Sequence, residues 1–144
     1  MNPPSDAPIR NPIPVSAGLV YRDGLLLITQ RRAQDHLGGL WEFPGGKRHD
    51  GETDEDCLKR ELLEELDIEV EVRELVETVT HQYPEKGVAV CLKFFRCAWL
   101  RREPRALGCQ ALAWIGREQL ANYQFPAADA QLLQLLQTTP ELWL

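Results

Sequence analysis

The stretch GGKRHDGETDEDCLKRELLEELDI, residues 45–68, crowds Asp50, Glu52, Asp54, Glu55, Asp56, Glu61, Glu64, Glu65 and Asp67 into one segment of a chain whose formal net charge is already −6. Like charges three and four residues apart on a helix repel. Whatever this segment becomes must turn them to water or place cations between them. Its local signals are helical. Thr53 and Asp56 have the spacing of a helix start, and Asp54 and Glu55 fall in the first turn, where the helix dipole favours anions. Counting about 100° per residue from Glu61, Glu64 lies about 60° to one side and Glu65 about 40° to the other. The three carboxylates therefore share a face. Leu62, Leu63 and Leu66 fall elsewhere, which predicts a helix over 53–66 with its apolar side in a core.

A length of 144 residues suits one domain with one core. Charged residues make up 26% and apolar residues 44%, the balance of a soluble globular protein. No apolar run reaches the roughly 18 residues that span a bilayer, so no membrane association is expected. The start, MNPPSDAPIRNPIP, lacks the apolar segment of a secretory signal, and its prolines predict an extended lead-in over 1–14 before a single domain over 15–144. Cys57, Cys91, Cys97 and Cys109 form no CxxC pair and are read as reduced thiols of a cytoplasmic protein. The acidic balance weighs against stable nucleic-acid binding. It does not weigh against an anionic substrate, because bound divalent cations invert the local charge logic.

Along the chain, VSAGLVY (15–21) and GLLLITQRR (24–32) are strand-like runs around the Asp23-Gly24 turn signal. LWEFPGG (40–46) precedes the acidic helix. Alternation resumes from Glu69 to about Tyr83 and again over 87–100. RREPRALGCQ (101–110) reads as a loop, ALAWI (111–115) as a strand and PAADAQLLQLLQ (126–137) as a helix with Pro126 in its first turn. Strands, helix, strands, helix predicts an α/β fold of the α+β kind, a mixed sheet covered by helices.

Taken with its flanks, the acidic segment has a fixed spacing: Gly46, five residues, Glu52, seven residues, Arg60-Glu61-Leu62, one residue, Glu64-Glu65, then Ile68. This resembles the Nudix box, G-x5-E-x7-R-E-U-x-E-E-x-G-U, with Asp67 where the family has its last glycine. The resemblance implies a Nudix-type α/β/α sandwich that hydrolyses nucleoside diphosphates linked to another group, using Mg²⁺ or Mn²⁺. It implies that Glu61, Glu64 and Glu65 bind the cations with the carbonyl of Gly45, that Arg60 pairs with Glu52 to hold loop against helix, and that Glu61 serves as general base.

The likeness extends from about Val15 to Leu136 and is strongest to the MutT-like branch, which removes pyrophosphate from nucleoside triphosphates. On that resemblance Arg31, Phe43, Tyr83, Lys86 and Asp129 would contact the nucleotide. Asp129 is open to two readings. It is an acid at a helix N-terminus, or it accepts hydrogen bonds from the N1–H and amine of an oxidised guanine or from a cytosine amine. The implied substrate is 8-oxo-dGTP, with CTP or a modified dCTP as the alternative. A non-catalytic nucleotide-binding module is the alternative of another class. A monomer or a homodimer is expected. Some relatives place a further glutamate near position 108, which is Gly108 here, so either one carboxylate fewer serves or Glu103 reaches in. His36, His49 and His81 are expected in loops or at the edge of the site.

Overall fold

The computed structural model describes residues 12–143. The lead-in expected over 1–14 lies outside them for residues 1–11. Ile13 and Pro14 already belong to the first strand, β1 (Ile13–Arg22). Asp23 and Gly24 adopt φ of 54° and 77°, the left-handed pair that a tight two-residue hairpin turn requires. They fold β1 back onto β2 (Leu25–Gln30) with Tyr21 opposite Leu26.

The LWEFPGG run divides into β3 (Trp41–Glu42) and β4 (Gly45–Lys47). Pro44 has no N–H for a ladder, and its carbonyl instead accepts from Gly18 N–H at 2.8 Å. Then come α1 (Asp54–Leu66), β5 (Glu69–Tyr83), β6 (Val88–Arg101), β7 (Ala111–Ile115) and α2 (Ala130–Thr138). A 3₁₀ turn, Ala127–Asp129, leads into α2. The predicted helix over 126–137 thus starts tighter than an α-helix, because Asp129 N–H returns to the Pro126 carbonyl at 3.0 Å.

The strands form one mixed sheet in the order β3-β2-β1-β6-β5, with β4 also paired to β1 and β7 to β2. β1 and β6 run parallel; the other pairs are antiparallel. Strand alternation splits the core into two layers. Val20 and Leu27 meet Leu58, Leu62 and Leu66 of α1 on one face. Leu19, Leu26 and Ile28 meet Leu132 and Leu136 of α2 on the other. The sheet therefore lies between the two helices, as expected. Each of the three fully buried α1 leucines contributes about 1.5–3 kcal/mol by leaving water, enough to seat the acidic helix despite its charge.

Asp67 ends α1 in the left-handed region at φ 58°, a conformation that costs a non-glycine residue about 1–2 kcal/mol. Its carboxylate accepts from Arg102 Nη1 at 2.8 Å, with Arg105 Nη1 at 3.8 Å. The basic segment 101–105 is thus tied to the helix end. All four cysteines are free thiols. Among the described residues no helix is long and apolar enough to cross a membrane.

Candidate active site

Thr53 caps α1, its hydroxyl accepting from Asp56 N–H at 3.0 Å, and this fixes where the helix presents its acids. Arg60 organises them. Its Nε and Nη2 donate to Glu52 Oε2 and Oε1 at 2.6 and 3.0 Å, a two-pronged clasp between helix and preceding loop. Nη1 reaches Glu61 at 3.0 Å and Glu64 at 3.2 Å, and Nη2 also reaches the Lys47 carbonyl at 3.1 Å. Hydrogen bonds from Arg60 and from His49 N–H hold the Glu52 carboxyl down at about 2. One guanidinium thus offsets the crowding of acids.

The three glutamates part company at their tips. The Glu64 side chain is 59% exposed, whereas Glu61 is 13% exposed. Glu61 packs under Gly46, where a Cβ would come within 2.3 Å of its carboxyl carbon. Glu65 lies inside the groove beside Glu61. Burial first, then the charge of Glu61, pushes its carboxyl well above the usual range. Gly108 touches it, since a Cβ there would stand 2.9 Å from Glu65 Cγ. The N–H groups of Leu107 and Gly108 both donate to the Glu65 carbonyl at 3.0 Å. Position 108 is therefore beside the carboxylates and carries no acid. Glu103 does not substitute for one: it faces outward, paired with Arg22 at 2.7 Å.

A cavity of about 310 Å³ is lined by Gly45, Gly46, Lys47 and Glu65 and by Pro126, Ala128 and Asp129. Its floor is Val15 and Ala17 of β1 with Leu92 and Phe94 of β6, paired in register. Phe43 lines it, stacked on Phe125 at 5.2 Å and edge-to-face with Phe94 at 6.0 Å. Asp129 is 4% exposed, and its side chain makes no capping bond to α2. Asp129 thus occupies the N-cap position of α2 without a side-chain capping bond, and it also lines the cavity. Burial, with Glu42 nearby, pushes its carboxyl up to about 7.

Arg31 and Tyr83 also line the cavity. Arg31 is already engaged, through Nε with the His36 carbonyl at 2.6 Å and through Nη1 with Glu42 at 3.0 Å. Tyr83 is met at its ring by His36 and by His81, both edge-to-face. Lys86 sits exposed in the 3₁₀ turn Pro84–Lys86 and does not line the cavity. Of the charged lining residues, Glu42 and Lys47 escaped the sequence reading, while His36, expected in a loop or at the edge of the site, lines the cavity. The Glu42 carboxyl is raised by burial against the pull of Arg31. A carboxylate between Trp41 and Phe43 was the available signal.

Among the described residues no three His, Cys, Asp or Glu side chains stand together as a ready-made metal cluster. The donor chemistry nevertheless fits a divalent cation. Glu61 and Glu65 are hard-oxygen carboxylates pressed together against their mutual repulsion, the arrangement that a bound cation relieves. Glycine at 46 keeps the space beside Glu61 clear of any side chain.

Residues 16–135 match the family model described as NUDIX domain. A protein of Escherichia coli (strain K12) named CTP pyrophosphohydrolase is 38% identical over 122 residues, 85% of this chain and 89% of that one. One of Proteus vulgaris named 8-oxo-dGTP diphosphatase is 43% identical over 82 residues, 56% of this chain and 71% of that one. Among solved structures, the MutT NUDIX hydrolase from Burkholderia pseudomallei superposes with a TM-score of 0.75 at 28% identity, covering 90% of this chain and 100% of that one.

Proposed function

The chain belongs to the NUDIX hydrolase family, and from that premise we propose that it cleaves a nucleoside triphosphate to the monophosphate and pyrophosphate, with an oxidised purine nucleotide such as 8-oxo-dGTP as its substrate in nucleotide-pool sanitation. The observation that carries this reading is one cavity lined by both Glu65, the neighbour of Glu61, and the buried Asp129. Its lining offers aromatic and apolar groups for a base and Glu65 with Lys47 for phosphates. A similarly named activity in the Proteus vulgaris relative supports the substrate.

Each residue then has a task. Phe43 and Phe94 give the base an apolar wall, and Asp129 meets its hydrogen-bonding edge. Arg31 braces the loop that borders the sugar side. Lys47 offers a cation to the phosphates at the carboxylate end. Arg60 and Glu52 lock the loop of residues 45–52 to α1. Glu61 and Glu65, with Glu64 at the rim and Gly45 opposite, would hold Mg²⁺ or Mn²⁺. Such a cation supplies charge neutralisation at the phosphates and a more acidic bound water. Glu61 takes the proton of the attacking water, its carboxylate held in place by Arg60 Nη1 at 3.0 Å. The cytoplasm is the expected setting.

CTP or a modified dCTP is the second substrate reading. Asp129 favours it as well, because a carboxylate accepts equally from a cytosine amine, and the Escherichia coli relative carries that activity in its name. A nucleotide panel with Mg²⁺, scored for pyrophosphate, tests both. Highest kcat/KM for 8-oxo-dGTP supports the first, and highest kcat/KM for a cytidine nucleotide replaces it with the second. Tight binding by calorimetry without turnover of any nucleotide would leave a binding module instead.

A further inference from the structure

The last carbonyls of a helix have no partner within it, and in α1 two of them are met by the segment between β6 and β7. Arg105 N–H donates to the Leu66 carbonyl at 2.9 Å, and the N–H groups of Leu107 and Gly108 both donate to the Glu65 carbonyl at 3.0 Å. The peptide unit that joins Leu107 to Gly108 is held from both sides. Its N–H meets Glu65, and its carbonyl accepts from Arg32 Nη2 at 2.8 Å. The segment is pinned again two residues on. Gln110 N–H donates to the Gln30 carbonyl at 2.8 Å, and Gln110 Oε1 accepts from Ala33 N–H at 3.3 Å. Arg32, which is exposed and is not among the cavity-lining residues, is thus joined to the backbone of an acid through one planar unit.

The contact with Glu65 is not only polar. A Cβ at position 108 would stand 2.9 Å from Glu65 Cγ, 3.2 Å from its Cβ and 3.3 Å from its Cα. The bare peptide therefore lies against the stem of the side chain, whose torsions decide where the carboxyl points. Glu61 repels that carboxyl, so a stem free to turn would swing it away. A rotated Leu107–Gly108 peptide would lose its bond to the Glu65 carbonyl and open that freedom. Resting on the reading of Glu61 and Glu65 as cation ligands, we infer that Arg32 is a positioning residue: by fixing the Leu107–Gly108 peptide against the Glu65 stem, it holds that carboxylate where a divalent cation is bound. The sign of the effect on cation binding separates this brace from bare charge. A guanidinium near carboxylates repels a divalent cation, so loss of the charge alone tightens cation binding, whereas loss of a brace weakens it.

Mn²⁺ binding to the protein without nucleotide is measured by electron paramagnetic resonance, and turnover of triphosphates with Mg²⁺ is measured apart. Arg32→Met keeps the apolar stem and removes the donors. It is expected to weaken Mn²⁺ binding about tenfold, the lower end of what loss of a group behind a metal ligand costs. Its kcat falls by a similar factor, with KM for the nucleotide little changed. Arg32→Lys still reaches the Leu107 carbonyl and recovers most of both, whereas the shorter Arg32→Gln does not. Gly108→Ala crowds the Glu65 stem directly and weakens Mn²⁺ binding with no change of charge. Unchanged or tighter Mn²⁺ binding in Arg32→Met overturns the assignment, and so does a loss confined to KM, the mark of substrate steering. If Arg32→Met fails to fold, equal Mn²⁺ binding by Arg32→Lys and Arg32→Gln overturns it. Wild-type Mn²⁺ affinity in Gly108→Ala does the same. Mn²⁺ affinity that falls with Arg32 in a protein that turns over no triphosphate sinks the hydrolytic reading and leaves Arg32 in place. Turnover with Mn²⁺ affinity indifferent to Arg32 does the reverse, and a wild type that binds no Mn²⁺ removes the cation reading on which the assignment rests.

Discussion

The two ends of the cavity are built in opposite ways. The carboxylate end comes from one stretch, residues 45–68, and a single guanidinium ties Glu52, Glu61, Glu64 and the Lys47 carbonyl together with directed charge-assisted bonds. The aromatic side gathers His36, Phe43, Tyr83, Phe94 and Asp129 from separate segments and is held by burial and ring-on-ring contact. A clasp of directed bonds loses much when one member goes. An assembled apolar wall can exchange one side chain and keep its shape. The first construction suits the reaction, the second the choice of substrate.

If that contrast holds, the largest effect belongs to Glu65. Replacing Glu65 by Gln is expected to lower kcat by about 10²–10⁴-fold without lowering Tm, since a buried repelling acid becomes a neutral amide. Glu64→Gln, at the exposed rim, should cost distinctly less. Steady-state kinetics beside thermal melts decide it, and equal losses would erase the inward–outward split seen at the helix. At the other end, Asp129→Asn should change stability with pH. The Asp129 carboxyl sits at about 7 in the fold against roughly 3.9 in an unfolded chain. Its folded value is raised, so its favourable contribution is complete below about pH 4 and is lost as pH climbs toward 7. The Asn variant should therefore gain on wild type across that window, by at most about 4 kcal/mol. Urea unfolding at pH 5 and pH 8 reads the difference, and curves that stay parallel would show the carboxyl to be solvated. The same variant should shift relative kcat/KM among bases while kcat on its best base survives.

Arg60→Lys probes the clasp itself. A lysine cannot reproduce the fork, so kcat is expected to drop roughly tenfold to a hundredfold with KM little changed. A change confined to KM would move Arg60 from positioning to substrate binding. The smallest effect is set for Asp67→Gly. Relief of the left-handed strain and loss of the partly exposed Arg102 pair oppose each other, leaving Tm within a degree or two, equivalent to about 0.5 kcal/mol. A large loss would give the 101–105 segment a role in holding the helix end.

The same contrast explains what could be read from the sequence. Residues 45–68 were legible because the chemistry is local: helix period puts Glu61, Glu64 and Glu65 on one face, the resemblance to the Nudix box implied the Arg60–Glu52 pair, and the structure forms that pair. Period was too coarse to tell Glu64 from Glu65, since a rotation of about 100° per residue places both on the face and leaves the tips to neighbours such as Gly108. The strands and both helices followed from alternation and turn residues. The wall did not. His36 lies in a loop without period, and Glu42 looks like ordinary strand alternation until Arg31 and the cavity are seen around it. Lys86 was expected at the substrate on the MutT-like resemblance, and the 3₁₀ turn that carries it leaves it exposed and off the cavity wall. Glu103 was close in sequence to the needed position, but Arg22, 81 residues away, claims it.

β1 joins the two constructions. Val15, Ser16 and Ala17 pair with Lys47, Gly46 and Gly45 along one border, while Val15 and Ala17 pair with Leu92 and Phe94 along the other. A single extended segment therefore links the carboxylate side of the cavity to its aromatic side. Sliding it by one residue would turn Val15 and Ala17 out of the cavity and throw both borders out of register at once. An insertion in this strand is therefore felt at both sides of the cavity together.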